Sequence, residues 1–175
     1  MEMTAQLGNC RVIVITLGLV ECWFDREADL YLNGIPPKFA LSTQPDRFEL
    51  RVLDYADVLD TLTEIHTLIN QYGHPQAKIL LTVSPVPFKS SMTGQDAVTA
   101  NTYGKSVQRA AAEAFAAKHE NVDYFPSYEI VSLSPRNLAY ELDNIHVTPA
   151  AVDLIMTTVL DAYCDPLPDS RASTT

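Results

Sequence analysis

The stretch "RVIVITLGL" at residues 11–19 constrains the fold more than any other. A continuous run of β-branched residues closed by a glycine reads as a strand buried on both faces. Such a strand belongs in a parallel sheet with helices on either side. "AKILLTVSPVP" (77–87) repeats the design, with Pro85 and Pro87 stopping the strand just past its end. "NVDYFPSYEIV" (121–131) supplies a third, interrupted by Pro126. Helical periodicity fills the gaps. After Asp54, the residues Val58, Leu62, Ile65 and Ile69 fall on one helix face that "YGHP" ends. Thr93 with Asp96 resembles a capping box before a helix carrying Val107, Ala111, Ala114 and Phe115 on one side. Thr148 as N-cap and Pro149 at the first helical position open a third helix. That helix is expected to bury Val152, Ile155, Met156, Val159, Leu160 and Tyr163.

Strand and helix therefore alternate three times, the order of an α/β fold with right-handed crossovers. Residues 25–53 interrupt it, and Asn33–Gly34 between short apolar runs suggests a hairpin-like excursion over the strand ends. No repeat, low-complexity segment or linker divides the chain, so residues 1–164 read as one domain. "DPLPDSRASTT" (165–175) reads as a flexible tail.

Composition narrows the function. With 175 residues, 47% of them apolar and 19% charged, the chain can bury a real core. A net charge of −10 with no Lys/Arg cluster argues against a nucleic-acid or anionic-membrane surface. Cys10, Cys22 and Cys164 show no C-x-x-C spacing, which indicates a reducing compartment and no structural zinc. There is no signal-like start, and no apolar run approaches the roughly 20 residues of a membrane helix, so a cytoplasmic location is expected. No phosphate-binding glycine pattern occurs, and His66, His74 and His119 are not spaced for a metal with one another. Neither a cofactor nor a metal is expected.

Ligands of open α/β sheets gather beyond the carboxyl ends of the strands. "GLVECWFD", "SPVPFKSSMTG", "PSYEIV" and "LDNIH" converge there. Within the last, Asp143 and His146 stand three apart just before a helix. His146 would take a proton from a hydroxyl, and Asp143 would hold the imidazole tautomer. No nucleophile is evident. Ser84 follows a strand, but Pro85 leaves no helix N-terminus behind it; Ser127 is suited to local hydrogen bonds. Cys22, beside Trp23, reads first as a half-buried structural thiol.

A series of segments raises that pair above chance. "VITLGLVECWFD", "PDRFELRVLDYADVLD", "ILLTVSPVPF", "TGQDAVTANTYGKSVQRAAAEAF", "NVDYFPSYEIV" and "DNIHVTP" resemble, in order over about residues 11–160, the GSCFA family. This is a bacterial group related to the SGNH (GDSL-like) hydrolases. The resemblance implies a three-layer α/β/α sandwich with a parallel sheet, of the SGNH-hydrolase or flavodoxin-like kind. It also implies a serine esterase or O-acyltransferase acting on a small ester or acylated glycan, with Asp143 and His146 as acid and base. By the same likeness Gly18, Val20, Glu21, Trp23, Ser84, Ser127, Tyr128 and Glu129 line the cleft or its oxyanion hole. For Trp23 and Tyr128, ordinary packing is an equal alternative.

The chain departs from the family pattern in three ways. Gly18-Leu19-Val20-Glu21 occupies the place of a Gly-x-Asn-Asp block, so Val20 cannot donate the side-chain hydrogen bond that the Asn provides. Gly104 and Gln108 replace the usual Ser and Leu, a change expected on the helix surface. The Gly-Ser-Cys-Phe-Ala stretch that holds the nucleophile is missing, and "GNC" at 8–10 has Asn9 where the serine should be. The domain is thus expected to be truncated at its N-terminus, with the strand 11–17 as an exposed edge open to self-association. The alternative is a catalytically inactive α/β module that binds a ligand or partner.

Overall fold

The computed structural model describes residues 6–165. Three strands, β1 (Val12–Leu17), β5 (Lys78–Val83) and β6 (Val122–Phe125), form a parallel sheet in the order β1-β5-β6. Three more, β2 (Glu21–Asp25), β3 (Leu30–Tyr31) and β4 (Phe48–Val52), form an antiparallel sheet in the order β3-β2-β4. The helices are α1 (Lys38–Thr43), α2 (Tyr55–Tyr72), α3 (Ala97–Ala116), α4 (Ser127–Ser132), α5 (Arg136–Ala139) and α6 (Pro149–Tyr163).

The register of the parallel sheet sets Ile13, Ile15 and Leu17 level with Ile79, Leu81 and Val83. Because side chains alternate along a strand, these share one face. On that face α2 brings Val58, Leu62 and Ile69, and α3 brings Ala111, Ala112 and Phe115, to make the main core. The opposite face meets α4, where the Thr82 and Ser127 hydroxyls lie 2.6 Å apart, and α6, whose Tyr163 hydroxyl donates to Asp123 at 2.8 Å. The domain is therefore α/β, with a parallel sheet and helices on both sides, an arrangement compatible with a three-layer sandwich.

Side chains cap the starts of the three longer helices, whereas α1, α4 and α5 each begin after a proline. Asp54 accepts from the Asp57 N–H while the Asp57 carboxylate accepts from the Asp54 N–H, a reciprocal capping box that opens α2. The Thr148 hydroxyl accepts from the Ala151 N–H and donates to the Leu138 carbonyl, fixing the start of α6 against α5.

Several expectations need correction. β1 is covered on one face only: Val12 and Val14 are 61% and 62% exposed, because β5 is its sole hydrogen-bonded neighbour among the described residues and α4 and α6 pack over β5 and β6. The apolar residues of α6 are not core. Val152, Met156, Leu160 and Tyr163 are exposed, and Ala151 is the helix's one buried residue. The third strand ends at Phe125; past Pro126, residues 127–132 are helical. The N-cap of α3 is Asp96, which accepts from the Thr99 N–H, and not Thr93. The hairpin turn lies at residues 26–29, where Asp25 accepts the Glu27 and Ala28 N–H groups and Asp29 takes φ 53°. Asn33–Gly34 follows β3 instead. From residue 166 onward the expected tail lies outside the described residues.

Candidate active site

Asp143 and His146 occupy the loop between α5 and α6. An isolated bridge between Tyr140 and Val147 closes its base, and the Glu141 N–H donates to the His146 carbonyl at 2.8 Å. Asn144 takes φ 58°, a conformation that asparagine tolerates better than most residues, and this turns the chain back. The loop thereby folds around the Asp143 carboxylate. Its Oδ1 accepts the N–H groups of Ile145 and His146 at 2.9 and 3.0 Å, and its Oδ2 meets His146 Nδ1 at 2.5 Å.

The Ile145 N–H, and after it the His146 ring and N–H, hold the Asp143 carboxyl down at about 2. An ionised Asp143 at neutral pH takes the hydrogen on Nδ1, which leaves Nε2 as the basic nitrogen. Nε2 has no protein partner among the described residues, and the His146 side chain is 75% exposed. The pair is thus an oriented base facing solvent.

The other expected site residues divide into two groups. Gly18, Glu21 and Ser84 line a cavity of about 370 Å³ at the carboxyl ends of β1 and β5. Glu21 is committed within it, accepting the Ser91 hydroxyl and, at 2.7 Å, the Met92 N–H. Ser84 Oγ accepts the Val86 N–H and makes no bond to His146. Tyr128 lines a second cavity, of about 460 Å³, walled by Pro85, Pro87, Phe88, Asn144 and Ile145. Asp143 and His146 do not line it, but the two residues between them do.

Val20, Trp23, Ser127 and Glu129 line neither cavity. Val20 is 1% exposed within the main core. Trp23 Nε1 donates to Met92 Sδ at 3.2 Å. Ser127 is buried, bonded to the Thr82 hydroxyl and donating to the Val83 carbonyl at 2.9 Å. Glu129 binds Arg109 and the Tyr124 hydroxyl. Cys22 is half-buried, and burial pushes its thiol up.

Sequence reasoning missed Lys105 and misplaced Gly104 and Gln108 on the surface of α3. Gly104, Lys105 and Gln108 are all buried, so the two departures from the family pattern are interior, not surface, changes. A Cβ at Gly104 would lie 2.9 Å from Val20 Cγ2. Lys105 Nζ donates to the Gly18 carbonyl at 3.0 Å, and burial lowers its ammonium to about 8. Gln108 Oε1 is buried without a hydrogen-bond partner among the described residues. The only signal was positional: 104, 108, 111 and 115 share the apolar face already read from Ala111 and Phe115.

His66 and His119, distant in sequence, lie ring to ring with centroids 4.1 Å apart. Among the described residues no group of three or more His, Cys, Asp or Glu is placed to hold a metal, and no helix is long and apolar enough to cross a membrane. A model of the GSCFA family matches residues 1–158 of the chain. No curated protein and no solved structure matches it.

Proposed function

Because the chain belongs to the GSCFA family, we propose that it carries the base of a site for ester hydrolysis or O-acyl transfer. One observation supports this above the rest. Asp143 locks His146 Nδ1 while Nε2 stays open to solvent. In such a site Nε2 accepts the proton of a hydroxyl as its oxygen bonds to the ester carbonyl carbon. The same proton then passes to the departing alkoxide as the ester C–O bond breaks. Asp143 keeps the ring oriented and stabilises its charged form. Neither expected serine is poised against the base: Ser127 is spent on Thr82 and Val83, and Ser84, which accepts the Val86 N–H, makes no bond to His146. Acylated glycans are the substrate class that the family likeness favours.

The test is hydrolysis of p-nitrophenyl acetate together with serine-directed fluorophosphonate labelling. His146→Ala should lower turnover by about 10²-fold or more, and Asp143→Asn should lower it nearly as far. Turnover unchanged in His146→Ala sinks the proposal. A second reading, a binding module without catalysis, draws on Val20: the family's asparagine donor is replaced by a buried methyl-bearing side chain. A well-folded chain with neither turnover nor labelling would favour it.

A further inference from the structure

We infer that the larger cavity beside the dyad takes an ester substrate bearing an oxyanion, a carboxylate or a phosphate, held between Arg136 and Lys89. The inference rests on the acyl-ester reading for its catalytic meaning, but the binding site stands on separate observations.

Charge distribution is the first. The chain carries 22 acidic and 12 basic residues, yet no Asp or Glu lines this cavity, while Lys89 and Arg136 both do. A cationic hollow in an acidic protein is a selective place for an anion, because like charges elsewhere repel it. Side-chain commitment is the second. Arg26, Arg47, Arg51 and Arg109 each pair with a carboxylate. Arg136 does not. Its Nε donates to Asn144 Oδ1 at 2.7 Å and its guanidinium lies 5.2 Å from the Tyr140 ring centroid. Both Nη groups are left without a protein partner among the described residues. A guanidinium held in this way by one hydrogen bond and one ring is a ready-made fork for two oxygens.

Position is the third. The residue that holds Arg136, Asn144, lies between Asp143 and His146, so the loop that carries the base also anchors the fork, which projects from α5. Across the cavity, Asn101 Oδ1 accepts the Phe88 N–H at 3.1 Å, which fixes the amide and leaves its Nδ2 as a donor. Phe88, Pro85 and Pro87 give apolar wall for the organic part of the ligand. A volume near 460 Å³ suits a small molecule.

Isothermal titration of the full chain with succinate, inorganic phosphate and neutral dimethyl succinate tests the proposal, at physiological salt. Succinate or phosphate should bind at least about tenfold more tightly than the diester, and the stronger of the two identifies the anion. Arg136→Gln should weaken that anion by about tenfold or more, and Arg136→Lys should not restore it fully. Lys89→Gln, at an exposed side chain, should weaken it several-fold with an unchanged melting temperature. Equal binding of succinate and its diester, or anion affinity unaffected by both substitutions, overturns the proposal. His146→Ala should bind the anion like the wild type. Anion binding in a chain without esterase activity would therefore sink the catalytic reading alone. Turnover of a neutral ester without anion binding would sink only this inference.

Discussion

A methyl group added at Gly104 would lie 2.9 Å from Val20 Cγ2, and Val20 is itself packed in the core. Glycine at 104 is therefore favoured sterically: the valine branches fill the space into which a Cβ would project. Alanine gains about 1 kcal/mol of helix propensity over glycine but here meets a clash of about 1–3 kcal/mol. Gly104→Ala should consequently be more favourable in a Val20→Ala background than alone, by about 1–2 kcal/mol in a double-mutant cycle read by urea melts. Additive effects would refute the contact. Lys105, one position on, has its folded pKa lowered to about 8 by burial, against about 10.4 unfolded. Between those values the unfolded chain holds the extra proton, so this group makes stability rise with pH from about 8 to 10.5 and contributes no slope below that window. Wild type should thus gain on Lys105→Met between pH 7 and pH 10, measured as the difference of their urea midpoints. The Asp143–His146 pair was legible because both members lie on one loop and their spacing survives folding unchanged. Gly104 and Gln108 were not, because nothing in their own identity says that the apolar stripe of α3 reaches them.

At the scale of elements, β1 shows where pattern reading stops. Five of its six residues are apolar or β-branched aliphatics, and the run looks the same from either face. Which face is buried depends on what stands beside the strand. Ile13, Ile15 and Leu17 meet α2 and α3 across the core, while Val12 and Val14 face open space. An apolar edge strand offers its unpaired N–H and C=O groups to another strand. Val14→Lys should then cost under about 1 kcal/mol of stability while reducing concentration-dependent association in sedimentation velocity. Ile15→Lys, one residue later on the core face, should cost about 3 kcal/mol or more. Equal stability losses would contradict the assigned faces. The short strands β2 and β4 escaped sequence reading because "ECWFD" and "FELRV" mix charge with bulk. Their ladder is secured by side chains instead: Arg47 clasps both oxygens of the Asp25 carboxylate, and Arg51 lies 3.6 Å over the Phe24 ring. The expectation for α6 failed for the same reason as for β1. Leu154, Met156 and Leu160 are each more than half exposed, so hydrophobic composition there does not measure burial.

For the whole molecule, the alternation of strand and helix was enough to give the α/β class, and the convergence of loops at the carboxyl ends of β1, β5 and β6 followed from it. The larger cavity was hidden for a geometric reason. Lys89, Asn101 and Arg136 come from three segments with no shared spacing, and only folding sets them around one hollow. The junction of the two sheets also has an optical consequence. Trp23 is the only tryptophan in the chain, and its indole N–H is bonded to Met92, in the stretch that also supplies Phe88 and Lys89 to both cavities. All indole emission thus originates at one point on β2, bonded to the segment that walls both cavities. A ligand that shifts the segment from Phe88 to Met92 should therefore change the Trp23 emission, a signal read without attaching a label.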